Sequence, residues 1–321
     1  MPTHRIGATA AGGDSKAVVE RIQEYERLGI GAAWLTTGGV APDSLTLFAA
    51  AALQTKSILL GTSIVPIFPR HPLVMLQQAQ VVAQLSSGRF RLGLGPSHKP
   101  STEATYGFEF KEPLTHLREC IHIIRQLTST GSVDFDGKYF HAHARSGAAP
   151  LPPLPIMASA LRKRSFELCG EVADGAITWV CPQRYLRDVA LPAMQAGAAK
   201  AGRETPPLIA HVPVCVHDSL PEARAAVRQR LAFYPNLPFY RQMLVDAGYP
   251  EAKEGAWSDA MLDAVAAMGS EKTVTSRTQE IFSWGIGEII ADPIPAGQDS
   301  RGSARRALEL LASLSRSLPA R

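Results

Sequence analysis

Chemistry in this chain has few residues to rest on. His98 follows Gly95-Pro96-Ser97 just past an apolar segment. An imidazole at such a point can orient a substrate or donate a proton near neutral pH, or it can be an ordinary polar loop residue. His71 stands immediately before Pro72 and reads as a helix cap, while His116 and His122 fall inside a helical pattern and read as structural. No pair of carboxylates is poised for glycoside cleavage. No Ser-His-Asp order can be placed, and no lysine follows a glycine loop as a phosphate grip requires. The four cysteines, Cys120, Cys169, Cys181 and Cys215, lie far apart without ligand spacing, which argues against zinc and against a disulfide framework. What remains is a scatter of hydroxyls and glycines at the ends of apolar runs. Such a set suits holding a cofactor better than acid–base work alone.

Those residues must be positioned by something, and the chain offers a regular frame. Apolar strand-like segments recur at residues 5–9, 32–36, 58–64, 90–94, 155–159, 175–179, 209–216 and 288–291, each followed by an amphipathic helical stretch. The helical stretches include residues 15–28, where Val18, Ile22 and Tyr25 share a face ahead of Gly29, and 72–85, which opens on a proline. Two passages break the rhythm. Residues 133–140 alternate around Asp136-Gly137, a hairpin signal, and lead to a proline-rich connector at 150–155. Residues 234–274 carry two helical pieces and read as an insertion between strand seven and the last helix. Eight strand–helix units in 321 residues favour a closed (β/α)8 barrel of the TIM type over a doubly wound sheet, taken as one unit over 1–321. In that fold the active site lies at the carboxyl ends of the strands, where Thr37, Ser63, Ile64, Ser97 and His98 fall.

Composition sets limits on the rest. Hydrophobic residues make up 45% and the net charge is only +4, with no basic stripe for nucleic acid. The first residues do not form a signal peptide, and no apolar run approaches a bilayer span; with scattered cysteines this suits a cytoplasmic protein.

Four stretches carry a family likeness in register. They are Gly61-Thr62-Ser63-Ile64-Val65-Pro66; Arg70-His71-Pro72 with Gln77-Gln78-Ala79; Ser87-Gly88-Arg89-Phe90-Arg91-Leu92-Gly93-Leu94-Gly95; and residues 155–159 followed by Glu167-Leu168-Cys169-Gly170-Glu171-Val172-Ala173-Asp174-Gly175. Together they resemble the bacterial luciferase-like monooxygenase superfamily. The segment Gly95-Pro96-Ser97-His98-Lys99-Pro100, with Tyr106-Gly107 after it, most resembles the branch that uses the deazaflavin coenzyme F420. The resemblance implies a third strand that ends in a bulge with a non-prolyl cis peptide at Ser63–Ile64, backing the cofactor ring. It also implies a phosphate site at Ser159, Ala160, Gly175, Ala176, Ile177 and Thr178. A helix opening at Leu161 would present its free N–H groups there.

Two departures from the family stand out. Leu161-Arg162 replaces a Gly-Pro found in many relatives, and strand two ends Thr-Thr-Gly without the Asp or His of some deazaflavin enzymes. The cluster Arg162-Lys163-Arg164 would ordinarily be a solvated helix face; beside an anion site it could instead meet a phosphate or the polyglutamate tail of a deazaflavin. Three functions follow from the resemblance. The first is F420-dependent hydride transfer with a small organic substrate. The second is an FMN-dependent monooxygenase fed by a separate reductase, and the third a flavin-binding barrel without catalysis. A homodimer, no nucleic acid and no metal complete the expectation.

Overall fold

Eight parallel strands close on themselves in the computed structural model, which describes residues 4–147 and 153–318. They are β1 (Arg5–Thr9), β2 (Ala32–Leu35), β3 (Leu59–Thr62), β4 (Phe90–Gly95), β5 (Ile156–Ser159), β6 (Gly175–Trp179), β7 (Leu208–Val216) and β8 (Glu288–Pro293). Each pairs in parallel with the next, from Gly7 opposite Ala32 round to Ile209 opposite Ile177. The ring shuts where β8 pairs with both β7 and β1. This is the expected (β/α)8 barrel. Short edges are added by Val65–Pro66 beside β4 and Ala267–Gly269 beside β7. The connector at 150–155 lies in part outside the described residues.

The helices form where capping and periodicity place them. Ser15–Leu28 starts on Asp14, whose carboxylate accepts from the Ala17 N–H at 2.9 Å, and stops at Gly29 with φ of 85°. Pro72–Leu85 runs over the span its sequence pattern suggests, and His71 caps it by accepting from the Leu73 N–H at 3.2 Å. The hairpin is present, Ser132–Asp136 against His141–Arg145. Three features differ from the sequence reading. A helix at Lys99–Tyr106 follows β4, begun by Pro100 in its first turn and ended by Gly107 at φ of 70°. The helical stretch at 182–201 contains a wider π turn at Leu186–Ala190. Helix Lys163–Val172 starts two residues later than Leu161, because the Ser165 hydroxyl takes the N–H groups of both Leu161 and Arg162 at 3.0 Å.

The barrel floor is filled by an unusual trio. Trp34 lies across the interior, and glycines make its room: a Cβ on Gly61 would come within 2.5 Å of the indole. Its N–H donates to Glu288 at 2.9 Å, and the Arg91 guanidinium sits 4.4 Å over its ring. Arg91 also donates to both Glu288 oxygens at 2.6 and 3.0 Å, and Arg5 adds a contact at 3.2 Å. Burial alone would raise the Glu288 carboxyl, but these cations and the indole hold it below the ordinary carboxylate range. A buried ion pair adds little beyond an apolar plug, yet losing one partner costs about 3–5 kcal/mol because the other charge is stranded. The trio therefore closes the barrel bottom and leaves the top as the open end.

Candidate active site

All eight strands deliver a polar side chain to one cavity of about 1000 Å³ at their carboxyl ends. Thr9 comes from β1, Thr37 from just past β2 and Ser63 from just past β3. Ser97 follows β4, Ser159 ends β5 and Thr178 lies on β6, while His211 and Asp292 come from β7 and β8. Parallel strands present alternate residues inward, so each contributes at most one or two such groups near the mouth. The volume is at the upper end for sites that take a drug-sized or cofactor-sized ligand.

The β3 edge is fixed to its neighbour. The Ser63–Ile64 peptide is cis, at the position the family resemblance implies. The Ser63 N–H donates to the Leu35 carbonyl at 2.7 Å, Thr36 Oγ1 donates to the Ser63 carbonyl at 2.7 Å, and the Thr37 N–H donates to the Ile64 carbonyl at 3.1 Å. Ile64 and Ile177 give the cavity an apolar floor. Thr37 lines the cavity, but its hydroxyl is shared with Ser44 at the start of helix Ser44–Gln54, so its side chain is already engaged.

Ser97 has φ of 61°, an uncommon left-handed backbone for a serine, and it turns the chain so that His98 enters the cavity. There the imidazole meets the edges or faces of Tyr240, Tyr234 and Phe233, with ring centroids 5.6, 6.0 and 6.4 Å away. Burial lowers its pKa from the ordinary value, so it is neutral at pH 7. The three aromatics belong to the segment after helix Leu220–Arg230, which folds over the mouth as helix Pro238–Asp246 and shorter turns.

On the β5 side the cavity reaches Ser159, Ala160, and the first residues of helix Lys163–Val172. Arg162 is paired with Asp246 at 3.3 Å, whereas Lys163 and Arg164 also line the cavity and have no ion pair among the described residues. Gly175 and Ala176 do not reach this place. They open β6 at its amino end, where Gly175 packs against the Met157 sulfur and Ala176 is fully buried; only Ile177 and Thr178 lie far enough along the strand. The helix start also differs from expectation, since the N–H groups of Leu161 and Arg162 are used by Ser165 and that of Ser165 by the Arg162 carbonyl, while those of Lys163 and Arg164 have no partner among the described residues.

The far wall was not legible as a site. His211 is buried, its ring centroid 4.2 Å from that of Trp179, and its Nε2 has no hydrogen-bond partner among the described residues. Burial, helped by the positive charge of Arg230, pushes its pKa down to about 3. Asp292 accepts from Thr9 Oγ1 at 2.9 Å and pairs with Arg230 at 3.0 Å. Burial raises its carboxyl above the ordinary value, against the opposing pull of Arg230 and Thr9. The one signal in the sequence is a histidine two residues after Ile209, in the inward register of an otherwise apolar strand. Among the described residues no cluster of His, Cys, Asp and Glu could hold a metal, and no helix is long and apolar enough to cross a membrane.

A parallel barrel whose mouth combines hydroxyls, an apolar floor and a helix start can hold a ligand of cofactor size. The luciferase-like monooxygenase family matches residues 1–288, and the chain belongs to that family. It is similar to the 5,10-methylenetetrahydromethanopterin reductase of Methanolobus tindarius, 26% identical over 295 residues that cover 85% of this chain and 90% of that one. Among solved structures it resembles an F420-dependent secondary alcohol dehydrogenase in complex with an F420–acetone adduct, with a TM-score of 0.80 at 17% identity over 97% and 98% of the two chains. It also resembles the oxygenating constituent of 3,6-diketocamphane monooxygenase from Pseudomonas putida in complex with FMN, with a TM-score of 0.75 at 19% identity over 99% of each. The protein is a luciferase-like oxidoreductase.

Proposed function

We propose that this enzyme binds coenzyme F420 and passes hydride between it and a small organic substrate. The observation that carries the choice is the basic start of helix Lys163–Val172, where Lys163 and Arg164 line the cavity and form no ion pair among the described residues. Cations at a helix N-terminus oppose the helix dipole unless an anion joins them. A polyanionic tail beyond the ring's phosphate would do so.

The donor set fits such a group. Ile64 would back the ring and Ser97 would meet its polar edge. Ser159, Ala160, Ile177, Thr178 and the N–H groups of Lys163 and Arg164 would hold the phosphate. A bound deazaflavin supplies a ring carbon that gives or takes hydride. The chain's own task is orientation and exclusion of water: the aromatic segment covers the mouth, and His98, neutral at pH 7, orients the substrate or moves a proton at its imidazole nitrogen. FMN is the second reading, favoured by the likeness to an FMN complex. In either case a separate reductase or dehydrogenase recharges the cofactor.

The same reading takes residues 1–321 as one functional unit in the cytoplasm. It includes a homodimer, since Leu53, Val74, Val81 and Leu85 are exposed on the two neighbouring helices Ser44–Gln54 and Pro72–Leu85. Light scattering that reports a monomer would remove the dimer.

Equilibrium titration of the protein with F420 and with FMN at matched salt tests the cofactor. F420 should bind more tightly. Replacing Lys163 and Arg164 with Ala should weaken F420 more than FMN, and the loss should shrink with salt, because exposed charges are screened over about 8 Å at physiological ionic strength. Tighter FMN binding, with equal and salt-independent losses for both ligands, would reverse the assignment.

A further inference from the structure

We propose that the cavity wall formed by His211, Asp292, Thr9 and Arg230 is the substrate subsite, and that it takes a neutral, largely apolar molecule bearing an alcohol or carbonyl oxygen. Its role as the substrate side rests on the cofactor reading above; its chemistry follows from the wall itself.

Topology gives the placement. In a closed ring of eight strands β7 stands four strands from β3 in either direction, so His211 faces the Ser63–Ile64 bulge across the mouth. A ring backed by that bulge leaves its other face toward β7 and β8. The space between is bounded by Trp179 and Tyr234, whose rings lie 5.6 Å apart, and by Tyr240 beyond them.

Hydrogen bonding shows what the wall lacks. Among the described residues His211 Nε2 and Trp179 Nε1 are buried and unpartnered, and both rings line the cavity. Buried polar atoms are nearly always satisfied, so a ligand oxygen or a water it displaces belongs there. A neutral imidazole has one N–H and one lone pair; it can donate to a carbonyl or accept from a hydroxyl.

Charge then selects the class. Arg230 and Asp292 neutralise one another at 3.0 Å, and Thr9 and the tyrosines carry no charge. His211 is neutral as well, because burial opposes its protonation. An anion placed here would meet the Asp292 carboxylate, and a cation the Arg230 guanidinium, each without an unpaired opposite charge on this wall to offset its lost hydration. A neutral oxygenated molecule with a flat or cyclic body meets neither penalty.

The test is a ranking of four probes of one shape: benzyl alcohol, acetophenone, toluene and benzoate. Ligand-observed NMR gives the affinity of each for the protein alone and for the protein saturated with F420. The alcohol and the ketone should bind about tenfold more tightly than toluene or benzoate, the scale of one hydrogen bond to a neutral group. His211→Phe should erase the preference over toluene while leaving toluene itself unchanged, and His211→Asn should restore part of it. Should either variant misfold, the ranking in the unaltered protein decides alone. Benzoate or toluene bound as well as the alcohol, a preference that survives His211→Phe, or no probe bound at millimolar concentration would overturn the proposal. A protein that keeps the ranking but binds neither F420 nor FMN retains the subsite and loses the cofactor reading. One that binds F420 without the ranking does the reverse.

Discussion

Replacing His211 with Asn should flatten part of the acid side of the stability curve. In the folded protein His211 is neutral, its pKa pushed down to about 3 by burial and by Arg230. In the unfolded chain the ordinary value is about 6.5. Below that pH the unfolded state binds a proton that the folded state refuses, so stability falls as pH falls, by about 1.4 kcal/mol per unit until the folded value is reached. At pH 7 the penalty is roughly 0.2 kcal/mol; at pH 5 it is about 2 kcal/mol. The second figure barely changes if the folded value is nearer 4, because pH 5 lies above either. Urea unfolding at pH 7 and pH 5 measures the difference for the parent and for His211→Asn. His98 and His116 are also shifted down by burial, so the parent should lose more than this in total. The variant should lose about 2 kcal/mol less than the parent between the two pH values. Equal losses in both proteins would mean that His211 is protonated in the folded state, and the neutral wall argued above would go with it.

His98→Ala should lower turnover on the order of a hundredfold, the low end for a general acid, with cofactor affinity changed by no more than a few fold. His98→Gln separates the roles: recovery of rate with a flat pH profile indicates orientation, whereas behaviour like Ala indicates proton transfer, and full activity of His98→Ala removes the histidine from the mechanism. Glu288→Gln, which takes the buried counter-charge from Arg91 beneath Trp34, should cost about 3–5 kcal/mol in urea unfolding. A loss under about 1 kcal/mol would show that the trio is solvated rather than sealed.

The sequence alone determined the repeating frame, because strand and helix periodicities are local. Eight apolar runs with helices between them can be counted without knowing how they pair, and Pro72–Leu85 can be bounded by its proline and His71. The helix Lys99–Tyr106 carried the same local signs, Pro100 and Gly107, and was legible in principle. What the sequence could not show were pairings across distance. Arg91 meets Glu288 across 197 positions, and Thr9 meets Asp292 across 283. Nothing near either residue names its partner, since only closure of the ring brings β1, β4 and β8 together. The same holds for depth along a strand. Gly175, Ala176, Ile177 and Thr178 are consecutive, and the stagger of the barrel alone puts the first two below the mouth and the last two in it. His211 is the sharpest case. In the sequence it is one polar residue in a buried apolar strand; its resistance to protonation in acid, and a nitrogen left unpartnered among the described residues, exist only because folding removed water from around it.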